Sequence, residues 1–184
     1  MICRSRLAAV VLLCTGGPAA AAGRTPAFMG LGYLPGREEY GTATAVSADG
    51  STVVGYTGHP TSPVEIYPQA FRWTWQEGMK PLGPFPEQPD ESYASAVSRD
   101  GSVIVGCWYK RDRSSPLART RKAFMWTEAG GAVPVPGMSE FPVGNHASGV
   151  SADGSVIVGY AYSGRALLWS EPTRPLYISY AVFC

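Results

Sequence analysis

One phrase recurs three times along the chain, and this recurrence limits the fold more than any residue propensity does. Its copies run from Ala43 to Tyr56, from Ala94 to Cys107 and from Ala147 to Tyr160. Asp49, Asp100 and Asp153 occupy one position of the phrase and lie 51 and 53 residues apart, too regular and too similar in context for chance. Each copy reads as a short strand, a bend and a second strand. Asp and Gly tolerate the backbone angles of tight hairpins, so Asp49-Gly50, Asp100-Gly101 and Asp153-Gly154 mark the bends. The repeated Ser47, Ser98 and Ser151 fit turn caps. Val53-Val54, Val103-Ile104-Val105 and Val156-Ile157-Val158 are apolar on consecutive residues, which suits a strand covered on both faces.

A second phrase follows each hairpin: Ala70 to Thr74, Ala123 to Thr127 and Ala166 to Ser170. Residues two apart on a strand share a face, so Phe71 with Trp73, Phe124 with Trp126 and Leu167 with Trp169 are core pairs. A third phrase, Gly78 to Gly83, has a degraded counterpart at Ala132 to Pro136. Phe28 to Pro35 matches Met79 to Pro86 at an offset of 51, so an orphan closing strand, 28–35, precedes the first full copy.

The set Leu31-Gly32-x-Leu34-Pro35, Ala45 to Ser51, Val53-Val54-Gly55 and Ala70-Phe71-Arg72-Trp73-Thr74 resembles the HAF-type bacterial extracellular repeat. The resemblance covers nearly all of the chain beyond its N-terminal segment. It implies an exported β-repeat protein and carries no catalytic residues with it. The chain departs from the family pattern at Gly36-Arg37 and Glu87-Gln88, where Gly-Gly often follows Leu-Pro, and again from Glu171 to Cys184.

Four short strands per unit of about 50 residues predict an all-β chain of tandem, four-stranded modules like propeller blades. The modules run roughly over 43–93, 94–146 and 147–184, in one domain covering 23–184. Propellers usually close with about four to eight blades. Three blades leave an open array, a ring completed by a homo-oligomer, or a fragment of a longer repeat protein. One route to completion within the chain is for the opening strand to supply the missing last strand of the third blade, beside Trp169. The link from hairpin to aromatic strand varies most, spanning Thr57 to Gln69, Trp108 to Lys122 and Ala161 to Arg165. One face is therefore expected to be rich in loops, where repeat proteins commonly bind.

Residues 1–22 read as a secretory signal, with Arg4 and Arg6 ahead of an apolar core and small residues at Ala19 to Ala22. The expected destination is the periplasm or the extracellular space. No stretch approaches the roughly 20 apolar residues of a membrane-spanning helix. Setting Arg4 and Arg6 aside leaves 13 basic residues against 14 acidic ones, a balance that offers no general attraction for nucleic acid. Cys107 and Cys184 remain beyond the signal, and their spacing alone does not decide whether they pair.

The sequence holds no convincing catalytic constellation. The three Asp-Gly sites lie in successive modules and cannot converge as the six to eight oxygens of a calcium site, and the histidines and cysteines lack metal-ligand spacing, so neither metal nor cofactor is expected. His59 and His146 both fall in segments read as variable loops. Lys110, Arg111, Arg113, Arg119, Arg121 and Lys122, with Trp108 and Tyr109 beside them, form a basic loop that could meet an anionic surface glycan or a protein. Glu38-Glu39 and Asp90-Glu91 supply the carboxylate pairs for an alternative reading as a carbohydrate-active enzyme. The main expectation is a non-enzymatic repeat protein that binds a surface polymer or a protein through its loop-rich face.

Overall fold

A computed structural model describes residues 10–12, 28–36, 40–58, 60–62, 65–111, 119–136, 144–161 and 166–170. Glu38, Glu39, His59, Arg113, Cys184 and the segment 171–184 lie outside the described residues, as does most of the segment read as a secretory signal. The described residues form fifteen strands and no helix. They are β1 (Val10–Leu12), β2 (Phe28–Gly30), β3 (Tyr40–Val46), β4 (Thr52–Gly58), β5 (Pro60–Ser62), β6 (Glu65–Ile66), β7 (Gln69–Thr74) and β8 (Gly78–Pro81). There follow β9 (Glu91–Val97), β10 (Val103–Arg111), β11 (Arg119–Thr127), β12 (Gly131–Pro134), β13 (Asn145–Val150), β14 (Val156–Ala161) and β15 (Ala166–Ser170). Three antiparallel meanders result: β3-β4-β7-β8, β9-β10-β11-β12 and β13-β14-β15. They stack as blade-like modules in an open array.

The recurrent phrase explains the hairpins atom by atom. In each turn the serine hydroxyl donates to the aspartate, Ser47 to Asp49 at 2.5 Å, Ser98 to Asp100 at 2.8 Å and Ser151 to Asp153 at 2.6 Å. The same hydroxyls accept the N–H of Thr52, Val103 and Val156, which open the return strands. Gly50, Gly101 and Gly154 take φ of 72°, 76° and 75°, the left-handed region that favours glycine.

The glycine has a second task. Gly101 rests against Thr52 of the sheet before it, where a Cβ would fall on the threonine hydroxyl, and a Cβ on Gly154 would come within 2.6 Å of Val103 Cγ2. Gly50 follows no earlier meander and has nothing within 4 Å of its would-be Cβ. Backbone bonds run along the same line of turns: Ala48 N–H donates to the Arg99 carbonyl and Arg99 N–H to the Ala152 carbonyl, both at 3.0 Å.

The glycine that follows each valine run has a different cause. A register shift interrupts the ladders β3–β4, β9–β10 and β13–β14, and it brings the carbonyls of Thr42, Tyr93 and His146 onto Gly55, Gly106 and Gly159. A side chain there would displace the neighbouring strand.

Between the meanders the cores form in layers. Val54 and Ala70 of the first sheet meet Ile104, Trp108 and Phe124 of the second, with Leu82 and Phe85 wedged between. Val105 and Ala123 of the second meet Ala147 and Ile157 of the third, with Val135 wedged between. Thus Val53 and Val54 face opposite layers, as do Ile104 and Val105. The expectation of a strand covered on both faces holds for two sheets and fails in the third, where Val158 is 44% exposed because no described sheet follows it.

The orphan opening strand does not complete the third blade. Phe28–Gly30 pairs with Val10–Leu12, inside the segment read as a signal, and among the described residues β15 has only β14 as a ladder partner. Leu31 and Leu34 instead pack on Val53, Phe71 and Trp73 of the first sheet. At their offset of 51, Leu82 and Phe85 do the same for the second sheet, so the segment repeats as a wedge although it does not repeat as a ladder.

Two outcomes are expected. Gly101→Ala and Gly50→Ala each force alanine into the left-handed region at about 1–2 kcal/mol, but only the first also strikes Thr52. Urea titration should therefore show Gly101→Ala to be the more destabilising by about 1 kcal/mol or more, and equal losses would contradict the turn-on-sheet contact. The second outcome concerns acid. Asp49 is held below the usual carboxylate range chiefly by the Ser47 hydroxyl, and Asp100 is lowered to about 2 chiefly by the Ser102 N–H. A depressed carboxylate contributes stability above its unfolded pKa of about 3.9 and loses it as pH falls towards the folded value. Between roughly pH 4 and pH 2 the stability of Asp49→Asn/Asp100→Asn should fall less steeply than that of the parent, as measured by denaturant midpoints at each pH.

Candidate functional site

The basic side chains expected on a loop are placed on a hairpin. Strand β10 continues through Arg111 and β11 begins at Arg119, pairing Trp108 with Lys122, Tyr109 with Arg121, Lys110 with Thr120 and Arg111 with Arg119. Trp108 is not a surface residue. It is fully buried, stacked on Phe124 with ring centroids 6.0 Å apart and edge-on to Phe85 at 5.4 Å. Alternation on the strand sends it into the core while Tyr109 takes the other side.

Much of the remaining charge is neutralised locally by the linker that leads into β9. Lys122 pairs with the Glu87 carboxylate, and Lys110 donates to the Glu87 carbonyl at 2.7 Å. Arg111 and Arg119 both reach Glu91, at 3.3 and 3.5 Å, and Glu91 is only 5% exposed. The Arg111 guanidinium also lies 4.8 Å from the centre of the Tyr67 ring, and the Arg111 backbone N–H donates to Asp90 at 2.8 Å. Asp90 and Glu91, one carboxylate pair of the enzyme reading, line a cleft of about 220 Å³, where Glu91 meets the two guanidinium groups and Asp90 accepts the Arg111 backbone N–H.

Arg121 goes elsewhere. Its side chain, 9% exposed, points into a cleft of about 350 Å³ lined by Thr44, Tyr56, Tyr93, Ser95, Tyr109, His146 and Tyr160, with Ala94 and Cys107 at its floor. Strands β3, β9 and β13 contribute to it, so all three sheets share the cleft. Arg121 donates to the hydroxyls of Tyr109 at 3.4 Å and Tyr160 at 3.2 Å, and its guanidinium lies 5.9 and 4.9 Å from the centres of those rings. Burial opposes its charge, but these hydroxyls outweigh that and hold its pKa above the ordinary value.

Aromatic rings continue on both sides. Tyr40 and Tyr56 lie 6.0 Å apart, Tyr56 and Tyr93 4.8 Å, Tyr93 and Tyr109 5.7 Å, and His146 stacks on Tyr160 at 5.1 Å. With Arg121 joining Tyr109 to Tyr160, six rings and one guanidinium make a row that crosses from the first sheet to the third. Burial pushes the hydroxyls of Tyr56, Tyr93 and Tyr109 up from their ordinary pKa, so these rings stay neutral hydrogen-bonding groups at physiological pH.

His146 is on strand β13 rather than in a loop. Its Nε2 sits 3.3 Å from the Ser95 hydroxyl, while its buried Nδ1 makes no hydrogen bond among the described residues. Burial first and the Arg121 charge second lower its pKa, so it is neutral at pH 7. Burial pushes the Cys107 thiol up to about 12, so this buried free cysteine is a protonated thiol and a poor nucleophile. Among the described residues, none of those lining the cleft is a carboxylate. The arrangement can stack, donate and accept hydrogen bonds, and hold one positive charge.

Of the residues singled out in the sequence, Tyr109 and Arg121 belong to this cleft, whereas Lys110, Arg111, Arg119 and Lys122 belong to the cation cluster. The missed residues are Tyr56, Tyr93, His146 and Tyr160. Their signal lay inside the repeat: Tyr56, Cys107 and Tyr160 share one position, and Thr42, Tyr93 and His146 another. Among the described residues no group of three His, Cys, Asp or Glu side chains is placed to hold a metal ion, and no helix is long and apolar enough to cross a membrane. The chain matches no family model, no curated protein and no solved structure.

Arg121→Gln removes the second of the two causes that depress His146. The imidazole titration midpoint, followed by NMR, should rise yet stay below the ordinary value of about 6.5, because burial remains. An unchanged or lower midpoint would separate the two residues.

Proposed function

We propose that this chain is an exported, non-catalytic binding protein that engages an extracellular polymer or a surface protein at the tyrosine-lined cleft. The observation that carries the reading is the row of edge-to-face rings and hydroxyls around Arg121, shared among three sheets and, among the described residues, lined by no carboxylate. Tyrosine offers a rigid apolar face and a polar tip at low entropic cost, which suits recognition better than turnover. The secretory pattern of residues 1–22 and the resemblance to HAF-type extracellular repeats support export. The basic hairpin is assigned a structural role, because Glu87, Asp90 and Glu91 tie the linker between the first two sheets to it.

The test is retention of the purified chain on a panel of immobilised extracellular polysaccharides and surface proteins. Tyr160→Ala should weaken retention by about tenfold, the value of one good aromatic platform, with the circular dichroism of the fold unchanged. Arg119→Ala, in the cation cluster, should leave retention as it is. The reverse pattern would return binding to the hairpin and overturn the assignment to the cleft.

A further inference from the structure

We propose that two copies of the chain join head to tail, each lending its opening segment, Phe28 to Pro35, to the third sheet of the other as a fourth strand and an apolar wedge. The proposal goes beyond the binding reading above and takes from it only the export step, in which residues 1–22 are removed.

The first two sheets show what the third lacks among the described residues. In each a fourth strand closes the meander: β8 sets Met79 opposite Trp73 and Lys80 opposite Arg72, and β12 sets Ala132 opposite Trp126 and Val133 opposite Met125. The chain then continues as a wedge. The Leu82 N–H donates to the Ala70 carbonyl at 3.0 Å and the Val135 N–H to the Ala123 carbonyl at 3.1 Å. Leu82 and Phe85 share one apolar layer with Val54 and Ala70 of the sheet they close and with Ile104 and Phe124 of the sheet that follows. In the third sheet Val158, Ala166 and Leu168 stand where the second has Val105, Ala123 and Met125. Those three belong to the layer between the second and third sheets, whereas Val158 and Leu168 are 44% and 48% exposed.

The mate for that open face lies at the other end of the chain. Leu31 and Leu34 already pack on Val53, Phe71 and Trp73 of their own first sheet, as Leu82 and Phe85 pack on the second. What Leu82 and Phe85 have in addition is a preceding sheet, and Val158 and Ala166 of a second copy would supply it. In the register of β8 and β12, Phe28 of one copy stands opposite Trp169 of the other, and Met29 opposite Leu168. Phe28, 70% exposed in the single copy, gains a partner there.

The line of turns follows the same order. Gly101 rests on Thr52 and Gly154 on Val103, while Gly50 has open space where Val156 of a second copy would stand. Ala48 N–H donates to the Arg99 carbonyl and Arg99 N–H to the Ala152 carbonyl; the next step runs from the Ala152 N–H to the Ala48 carbonyl of the second copy. In the unprocessed chain Gly50 keeps its open space, and the stability comparison made for Gly50→Ala applies there.

The rival occupant is the chain's own segment 171–184. Fourth strands β8 and β12 open on Gly78 and Gly131, at φ of 69° and 65°, and the third copy carries Arg174 at that position. The same return would hold an arginine in the left-handed region, a cost that glycine avoids. Strand β1 holds the edge of β2 only while the segment read as a secretory signal is present, so its removal frees an edge ready to pair. Two copies bring six sheets, within the about four to eight with which such blades close, so the head-to-tail contact ends in a ring instead of a filament.

The experiment expresses the full chain through an export route and recovers it afterwards, with mass spectrometry to report whether residues 1–22 are gone and light scattering to report assembly. The processed protein should be a dimer. Met29→Cys/Leu168→Cys should trap that dimer through a disulfide on a non-reducing gel, while neither single variant is trapped. Val158→Arg/Leu168→Arg, at positions open to solvent in the single copy, should leave the circular dichroism unchanged and shift the protein to monomer. A processed monomer without cross-link would give the fourth-strand place to 171–184 and overturn the exchange, and a cross-link within one chain would overturn it in favour of self-completion. A dimer that is not trapped, or that survives Val158→Arg/Leu168→Arg, would overturn this interface. Retention of residues 1–22 would overturn the export step and the ring with it, whereas binding at the cleft stands or falls on Tyr160→Ala alone.

Discussion

The closest approach of consecutive sheets is made at turns where a glycine carries no side chain. At the Asp-Gly turn, Gly101 lies on Thr52 and Gly154 on Val103, so the bend of each later hairpin fits directly over the start of the return strand before it. The serine and aspartate of the same turn bond to each other and to the local backbone, and the Ala48 and Arg99 N–H groups tie each turn to the next. With the spacing fixed at this end, the apolar layers close behind it: Val54 against Ile104 and Phe124, then Val105 against Ile157. The contribution of that burial is large, since removing one fully buried aromatic such as Phe124 typically costs about 3–5 kcal/mol.

Much of this was legible in the sequence because local and long-range causes coincide in the same residues. Asp-Gly was readable as a bend from its own backbone preference, and the runs Val53-Val54 and Ile104-Val105 were readable as two-faced strands from their composition. What failed depended on partners distant in sequence. Phe28 to Pro35 matched a closing strand by offset, but Leu31 and Leu34 find more apolar surface on Phe71 and Trp73 than a ladder alone supplies. Residues from Trp108 to Lys122 read as a charged loop because their cations are dense, yet β-branched and aromatic neighbours carry the strand past Tyr109, and Glu87 and Glu91 on another segment neutralise what charge density suggested was free.

The cations of the hairpin fall into two groups. Four basic side chains of the hairpin are drawn towards the linker, where they tie the second sheet to the chain leaving the first. Arg121, only two residues from Arg119, is set apart by strand geometry and pairing: it stands opposite Tyr109 in the ladder and leans on Tyr160 of the third sheet. That difference cannot be read from a count of lysines and arginines.

Much of the cleft is built from positions at which at least one copy differs. The bulge glycines Gly55, Gly106 and Gly159 and the turn residues are common to all three copies, and they impose one backbone geometry three times. Immediately beside each bulge, on the strand the carbonyl comes from, stand Thr42, Tyr93 and His146; one residue beyond each glycine stand Tyr56, Cys107 and Tyr160. A constant scaffold therefore presents three versions of the same small surface side by side, and their contents can vary without disturbing the turns or the layers. Two features follow from this arrangement: rings from neighbouring copies come within touching distance, and the chemical character of the cleft is set largely by the few residues that break the repeat. The third sheet carries the most exposed part, with Tyr160 44% accessible beside the equally open Val158, so the end of the stack is also where the row of rings meets solvent.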